Sequence, residues 1–279
     1  SFFNRLTFRW NGANNQYHIG TANVLKLDFG KSFRDNQPVL DKIKERIPIT
    51  ITLNLIATFL AYLIAIPLGI YSAVNQHTLW DRISTVTVFI LYSLPNFWIG
   101  TMLIIFFGGG DFFDLFPYAG LYSNNYESLS TMGKMIDLVW HLILPIVVYT
   151  YGTFAYLSRQ MRVGMLEIIR QDYIRTARAK GLTENVVIYK HALRNSLIPI
   201  VTILAYILPA MIGGSVIIET IFTIPGMGSL AFEAITSRDY PTVMAVFTIS
   251  AVLTLIGILL ADLLYSVVDP RITFGSKES

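Results

Sequence analysis

Apolar and polar positions alternate in long blocks along this chain. Five stretches contain no Asp, Glu, Lys or Arg: 47–80, 83–110, 138–158, 195–218 and 240–261. Each can supply the roughly 20 apolar residues that carry a helix across a ~30 Å hydrocarbon core. The pattern predicts helices over about 49–74, 83–107, 139–160, 196–218 and 243–267. The alternating ten-residue segments of an outer-membrane barrel are missing. Pro67, Pro145, Pro199 and Pro209 fall inside or at the ends of these spans. Membrane helices tolerate proline where neighbours re-satisfy the freed carbonyls.

Composition agrees with the blocks. The chain is 53% hydrophobic and 14% charged, with mean hydropathy +0.54, against about 25% charged in soluble domains. The absence of cysteine excludes disulfides and thiolate metal sites. No soluble appendage, low-complexity tract or strong internal repeat interrupts the blocks, which disfavours an inverted-repeat transporter.

Charge placement orients the spans. The segment 161–195 and its flanks carry Arg159, Arg162, Arg170, Arg175, Arg178, Lys180, Lys190 and Arg194. Segments 108–138 and 219–242 carry only Lys134 and Arg238, beside seven acidic residues. The positive-inside rule therefore makes 75–82, 161–195 and the tail after 267 cytoplasmic. Residues 1–47 hold eight Lys or Arg and vote the other way. The consistent loops outweigh them, because long segments translocate despite charge. The expected organisation is an extracytoplasmic lead segment 1–47, a membrane domain 48–270 with cytoplasmic loop 161–195, and a cytoplasmic tail 271–279. A further helix upstream of Ser1 would place the lead segment outside and make six spans.

The loop itself is patterned. Leu166, Ile169, Tyr173 and Ala177 recur at helical spacing. Gly181 follows a good helix end, where a left-handed conformation costs glycine nothing. Arg178 and Lys180 suit the carbonyl end, and Thr183 can cap the next helix. Taken alone, this is helix, turn, helix at a cytoplasmic surface. A basic amphipathic loop lying on anionic lipid would read the same way.

Other polar signals are weaker. Gly30-Lys31-Ser32 lacks the earlier glycine of a phosphate loop, since Leu25 stands there. Nucleotide binding by this chain is not expected. His18, His77, His141 and His191 form no metal-spaced pair. Asp262 lies near the cytoplasmic end of its span, where snorkelling or an ion pair explains it better than a proton relay. Asn54 and Asn96 are candidates for pathway contacts or for hydrogen bonds between helices. Trp80, Tyr118, Tyr122, Tyr126 and Trp140 fit an interfacial aromatic belt.

The ordered string Arg175-Thr176-Ala177-Arg178-Ala179-Lys180-Gly181-Leu182-Thr183, continued by His191-Ala192-Leu193-Arg194-Asn195-Ser196-Leu197-Ile198-Pro199, resembles the coupling loop of ABC importer permeases. The version is that of the oligopeptide/dipeptide/nickel family. Arg175 replaces the glutamate of the general motif, and Arg194 stands where many importers have proline. Both departures match the peptide subfamily. Asp28-Phe29-Gly30-Lys31-Ser32 with Pro38-Val39 resembles the B-type permease of a heterodimeric pair. Phe222 to Gly228, Arg238-Asp239-Tyr240-Pro241, Asp262, Tyr265 and Asp269-Pro270-Arg271 are similar to the same family.

The resemblance covers essentially the whole chain. It implies an all-α polytopic membrane protein with the type I ABC importer transmembrane fold, five of its helices visible here. It implies docking of residues 175–183 on an ATPase. It also implies a homologous second permease subunit, two ATPase subunits that bind ATP and Mg, and an extracytoplasmic substrate-binding protein. The bilayer is a further partner and nucleic acid is not. The chain would not itself be an enzyme. Its cargo would be oligopeptides or dipeptides, with nickel or another small solute as the alternative. An ion-coupled transporter would need mid-membrane carboxylates, for which only Asp262, near an end, is a candidate; the lack of a soluble domain argues against a scaffold.

Overall fold

A computed structural model of the protein describes residues 28–109, 112–211 and 213–268. The expected upstream helix and the tail 271–279 lie outside these residues. Among the described residues there are helices and one isolated bridge, Lys31 to Pro38. Helix α1 is Val39–Val74, α2 is Leu79–Ser93 and α3 is Asn96–Leu103, which runs into a π turn, Ile104–Gly108. Next come α4, Thr131–Ile169, and α5, Asp172–Ala179. A π turn, Val186–Ala192, leads to α6, Leu193–Ser196, and α7, Ile198–Ala210. The chain ends in α8, Val216–Ile221, α9, Met227–Thr236, and α10, Tyr240–Val268. Helices α1, α4 and α10 are long and apolar enough to cross a membrane, and α2 with α3 makes a fourth span if the bent pair is counted as one.

The centre is the seam between α1 and α4. Ala57, Ala61, Ala65 and Gly69 recur every fourth residue and are all buried on α1. Small side chains let two backbones approach closely, which is the main attraction between helices where lipid is as apolar as leucine. At Gly69 the approach is so close that an added Cβ would lie 2.6 Å from Met161 Cβ and 2.9 Å from the Ser158 carbonyl oxygen. Hydroxyls bind buried backbone carbonyls across neighbouring helices. Tyr62 donates to Ile200 O at 3.1 Å and Thr150 donates to Ala57 O at 3.4 Å.

Several boundaries differ from the sequence reading. The lead segment 1–47 is helical from Val39, because Val39 and Ile43 pack with Met227, Leu230, Ala245 and Val246. Burial on one face outweighs the charged residues between them. The span expected over 83–107 starts at Leu79, where the Thr78 hydroxyl accepts the Asp81 N–H. It then breaks by 99° between α2 and α3. Pro95 drives Leu94 into an extended conformation, φ −85° and ψ 132°. The freed Leu94 carbonyl accepts the Tyr151 hydroxyl at 2.9 Å. The span expected over 196–218 stops at Ala210. Gly214, at φ +66°, turns the chain so tightly that any Cβ would meet Glu219 and the Gly228 nitrogen. The loop expected to begin at 161 is still α4 until Ile169.

The connections gather at two ends. The α1–α2 turn and residues 170–197 share one end, joined by a buried cluster. The opposite end holds residues 28–38, the segment between α3 and α4, and α8 with α9. There the Gly120 N–H donates to Phe222 O, and the Ser32 hydroxyl donates to Asp239.

Candidate functional site

At the basic end, α4 breaks after Ile169 and α5 begins at Asp172. Ile174 and Ala177, one turn apart, point inward. They join Ile70, Ala73, Met161, Met165, Val187, Ile188, Ala192 and Ile200 in one buried cluster. Helix α5 is thus pinned by apolar packing to the ends of α1, α4 and α7. Gly181 has φ +77° and the space around its missing Cβ is open, so backbone conformation alone calls for glycine there. The Gly181 N–H donates to Arg178 O at 2.9 Å, closing the turn.

The nine residues singled out in the loop divide by face. Ala177 is buried in the cluster; Arg175, Thr176, Arg178, Ala179, Lys180, Gly181, Leu182 and Thr183 are exposed. Arg178 forms a forked pair with Glu184, at 3.1 and 2.7 Å. That hydrogen bond raises the Arg178 value and holds the Glu184 carboxyl below its usual range. Arg178 therefore braces the turn. Arg175 makes a loose 3.5 Å contact with Asp172, and the Thr176 hydroxyl donates to Asp172 O. Thr183 stands at the start of the next helix, where its carbonyl accepts the Val187 N–H. The Lys180 ammonium has no partner among the described residues. Around these charges Tyr173, Leu182, Val186 and Tyr189 are 36–60% exposed. An apolar patch rimmed by exposed charges, Lys180 among them, on a rigid base is suited to binding a protein.

The two asparagines serve different places. Asn54 Nδ2 donates to Thr50 O at 2.9 Å and to Met211 O at 3.0 Å, tying α1 to the chain after α7. Asn96 is exposed at the bend, as the first residue of α3, with its Oδ1 beside Gly152. It has no hydrogen-bond partner among the described residues.

Two carboxylates at the far end escaped the sequence reading as sites. Glu219 is fully buried against Gly214, Gly226 and Gly228. It accepts the Ser229 N–H at 2.8 Å and the Thr50 hydroxyl at 3.2 Å, and Tyr149 Oη lies at 3.4 Å. Burial pushes its carboxyl above the usual range despite those donors. Asp239 is buried too. Burial raises it, but the Ser32 and Thr242 hydroxyls and the Phe33 N–H outweigh that and hold it low. Asp239 thereby locks the Gly30-Lys31-Ser32 segment, whose serine hydroxyl is spent on this contact. The available signal was a lone acid inside a glycine-rich apolar run, 213–228. Among the described residues no group of His, Cys, Asp or Glu could hold a metal ion.

The sequence profile of the family described as "Binding-protein-dependent transport system inner membrane component" matches residues 65–274. The oligopeptide transport system permease protein AppB of Bacillus subtilis (strain 168) is 44% identical over 260 residues, 93% of this chain and 80% of that one. The inner membrane ABC transporter permease protein YejB of Escherichia coli O157:H7 is 40% identical over 257 residues, 91% and 70% of the two chains. The dipeptide transport system permease protein DppB of Alkalihalophilus pseudofirmus is 35% identical over 270 residues, 93% and 81%. Among solved structures, the MetNI methionine ABC transporter aligns with TM-score 0.62 at 17% identity, over 82% of this chain and 97% of that one. This last likeness speaks for the fold alone. With an all-helical bundle, a pinned loop and a family profile spanning 65–274, the chain belongs to the binding-protein-dependent transport system inner membrane component family.

Proposed function

We propose that this chain forms half of the translocation path of an ATP-driven peptide importer. The loop 170–197 is the joint to a cytoplasmic ATPase. One observation carries this reading: the loop's inner face is fused into the bundle core through Ile174 and Ala177, while its outer face presents Leu182 among exposed charges. Such a part transmits force, because it cannot move without the ends of α1, α4 and α7.

ATP and magnesium belong to the two ATPase subunits, and this chain performs no chemistry. A homologous second permease completes the path. A substrate-binding protein delivers cargo at the extracytoplasmic far end. Peptides as cargo follow from the named activities of the relatives AppB and DppB. A path for varied polar peptides calls for few fixed contacts. Asn96, exposed at the bend, is the candidate contact, whereas Asn54 is committed to structure.

The test is uptake into proteoliposomes holding the full assembly and its binding protein. Labelled peptides should accumulate only with hydrolysable ATP. Import of nickel without peptide import would overturn the cargo. A cysteine at Lys31 should react with an impermeant reagent from the binding-protein side and one at Asn185 from the ATPase side. The opposite pattern would overturn the topology.

A further inference from the structure

Helix α2 is poorly anchored by apolar packing. Of its 15 residues only Asp81 and Val88 are buried. Leu79, Trp80, Ile83, Val86, Phe89 and Ile90 are all at least 47% exposed. None of its residues joins the buried cluster that holds the coupling loop. Yet α2 leads directly to the 99° bend and α3, so whatever moves its basic end moves that arm of the bundle.

The attachment at that end is polar. Asp81 accepts the Ser72 hydroxyl at 2.5 Å and the Arg162 guanidinium twice at 3.1 Å, through Nε and Nη2. It also accepts the His77 N–H at 3.0 Å, which holds His77 at φ 69° in the short turn between α1 and α2. Arg162 Nε reaches Ser72 as well, at 2.9 Å. Both partners belong to the loop's frame. Ser72 lies between Ile70 and Ala73, and Arg162 lies between Met161 and Met165; these four are members of the loop cluster. The α1–α4 seam at Gly69 makes that frame rigid. A cavity of about 440 Å³ beside the triad, lined by Ser84, Phe89, Tyr92 and Arg159, leaves α2 room to swing once released.

We propose that the Asp81–Arg162 pair, with Ser72, is the link that makes α2 follow the coupling loop during the transport cycle. This rests on reading the loop as the ATPase joint. The residues act by positioning. A forked, part-buried ion pair has directional stiffness that apolar contacts lack, and removing Arg162 would leave Asp81 an uncompensated buried charge.

The experiment uses the full assembly in lipid nanodiscs, with spin labels on Ile90→Cys in α2 and Arg170→Cys at the end of α4. The chain has no other cysteine. The unmutated pair should give one narrow distance distribution that is kept when ATP is added. Asp81→Asn should broaden it without nucleotide and shift it with ATP, and should raise ATP hydrolysed per peptide imported about tenfold. Arg162→Lys, which keeps the charge but loses the fork, should broaden it less. The exchange Asp81→Arg with Arg162→Asp should narrow it again, which a merely destabilised protein would not do. A distribution in Asp81→Asn or Arg162→Lys as narrow as in the parent would overturn the link. If ATP drives nothing even in the parent, the importer reading fails, while the nucleotide-free distances still decide the link.

Discussion

The coupling loop and the short helices at the far end are held by opposite chemistries. At the basic end an apolar cluster buries the inner face of the loop, whose charged groups point outward, while the Asp81–Arg162 pair with Ser72 ties α2 in beside it. At the far end the short helices are pinned by buried acids, Glu219 against three glycines and Asp239 against two hydroxyls. Close apolar packing makes the loop move as one body with α1, α4 and α7, which suits a part that must pass on a partner's motion. Buried hydrogen bonds are directional and costly to leave unmade, which fixes a single arrangement. The difference teaches that the loop is built to move with the bundle, while the far-end helices are built to keep one arrangement.

The largest effect should come from the seam on which both ends depend. Gly69→Leu forces side-chain atoms into the Ser158 backbone and Met161 Cβ. It should cost about 3 kcal/mol or more. Little folded subunit should remain in the membrane, as read by protein level and size-exclusion profile.

Glu219→Ala comes next. It leaves the Ser229 N–H and the Thr50 hydroxyl without their acceptor in a buried site, at roughly 2 kcal/mol. A lowered melting temperature in detergent checks it. The pH response should separate the two acids. The raised Glu219 carboxyl binds a proton more readily folded than unfolded. Its contribution therefore declines as pH climbs from the ordinary glutamate range through its raised value. Asp239, held low, contributes above the ordinary aspartate value, and that contribution is lost as pH falls through its lowered value. Glu219→Gln should remove the high-pH decline and keep the acid one. A melting curve whose high-pH slope is unchanged in this variant would contradict the assignment.

Smaller effects belong to the moving end. Gly181→Val places a β-branched residue at φ +77°, at about 1–2 kcal/mol of local strain. Because the space there is open, Gly181→Asn should be tolerated. Uptake should fall severalfold in the first and little in the second, with subunit levels unchanged. Lys180→Ala removes one exposed, unpaired charge. It should weaken ATPase association modestly, and more at low salt than at high.

Much of this was legible in the sequence, for identifiable reasons. The charge-free blocks mark α1, α4 and α10, since nothing but lipid or a partner accepts so many apolar residues in a row. Gly181 announced its turn, because a glycine after a good helix end is left-handed more often than not. Ala177 was counted with the docking residues, although helical spacing already set it on an apolar stripe; it is buried beside Ile174, whereas Tyr173 of the same stripe is exposed. Pro95 carried the break before α3, but an apolar run with one proline reads as a single kinked span until the extended Leu94 is seen. Glu219 and Asp81 stayed hidden because a lone acid carries no sign of its partners. Thr50 and Ser229 reach Glu219 from other parts of the chain, and Arg162 reaches Asp81 from 81 residues away.

The central claim is that the loop's exposed apolar patch is the joint to an ATPase, and Leu182 tests it most directly. Leu182 is 40% exposed and lies beside the turn, so Leu182→Asp leaves the buried cluster intact. A charge placed in the desolvated centre of a contact should abolish it, whereas the rim charges mostly steer encounter. The measurement is co-purification of the ATPase with the variant from detergent, paired with ATP-driven uptake in liposomes. The account predicts loss of the ATPase and of uptake, at a normal level of folded subunit. ATPase retained at the parent stoichiometry, with uptake still driven by ATP, would contradict it.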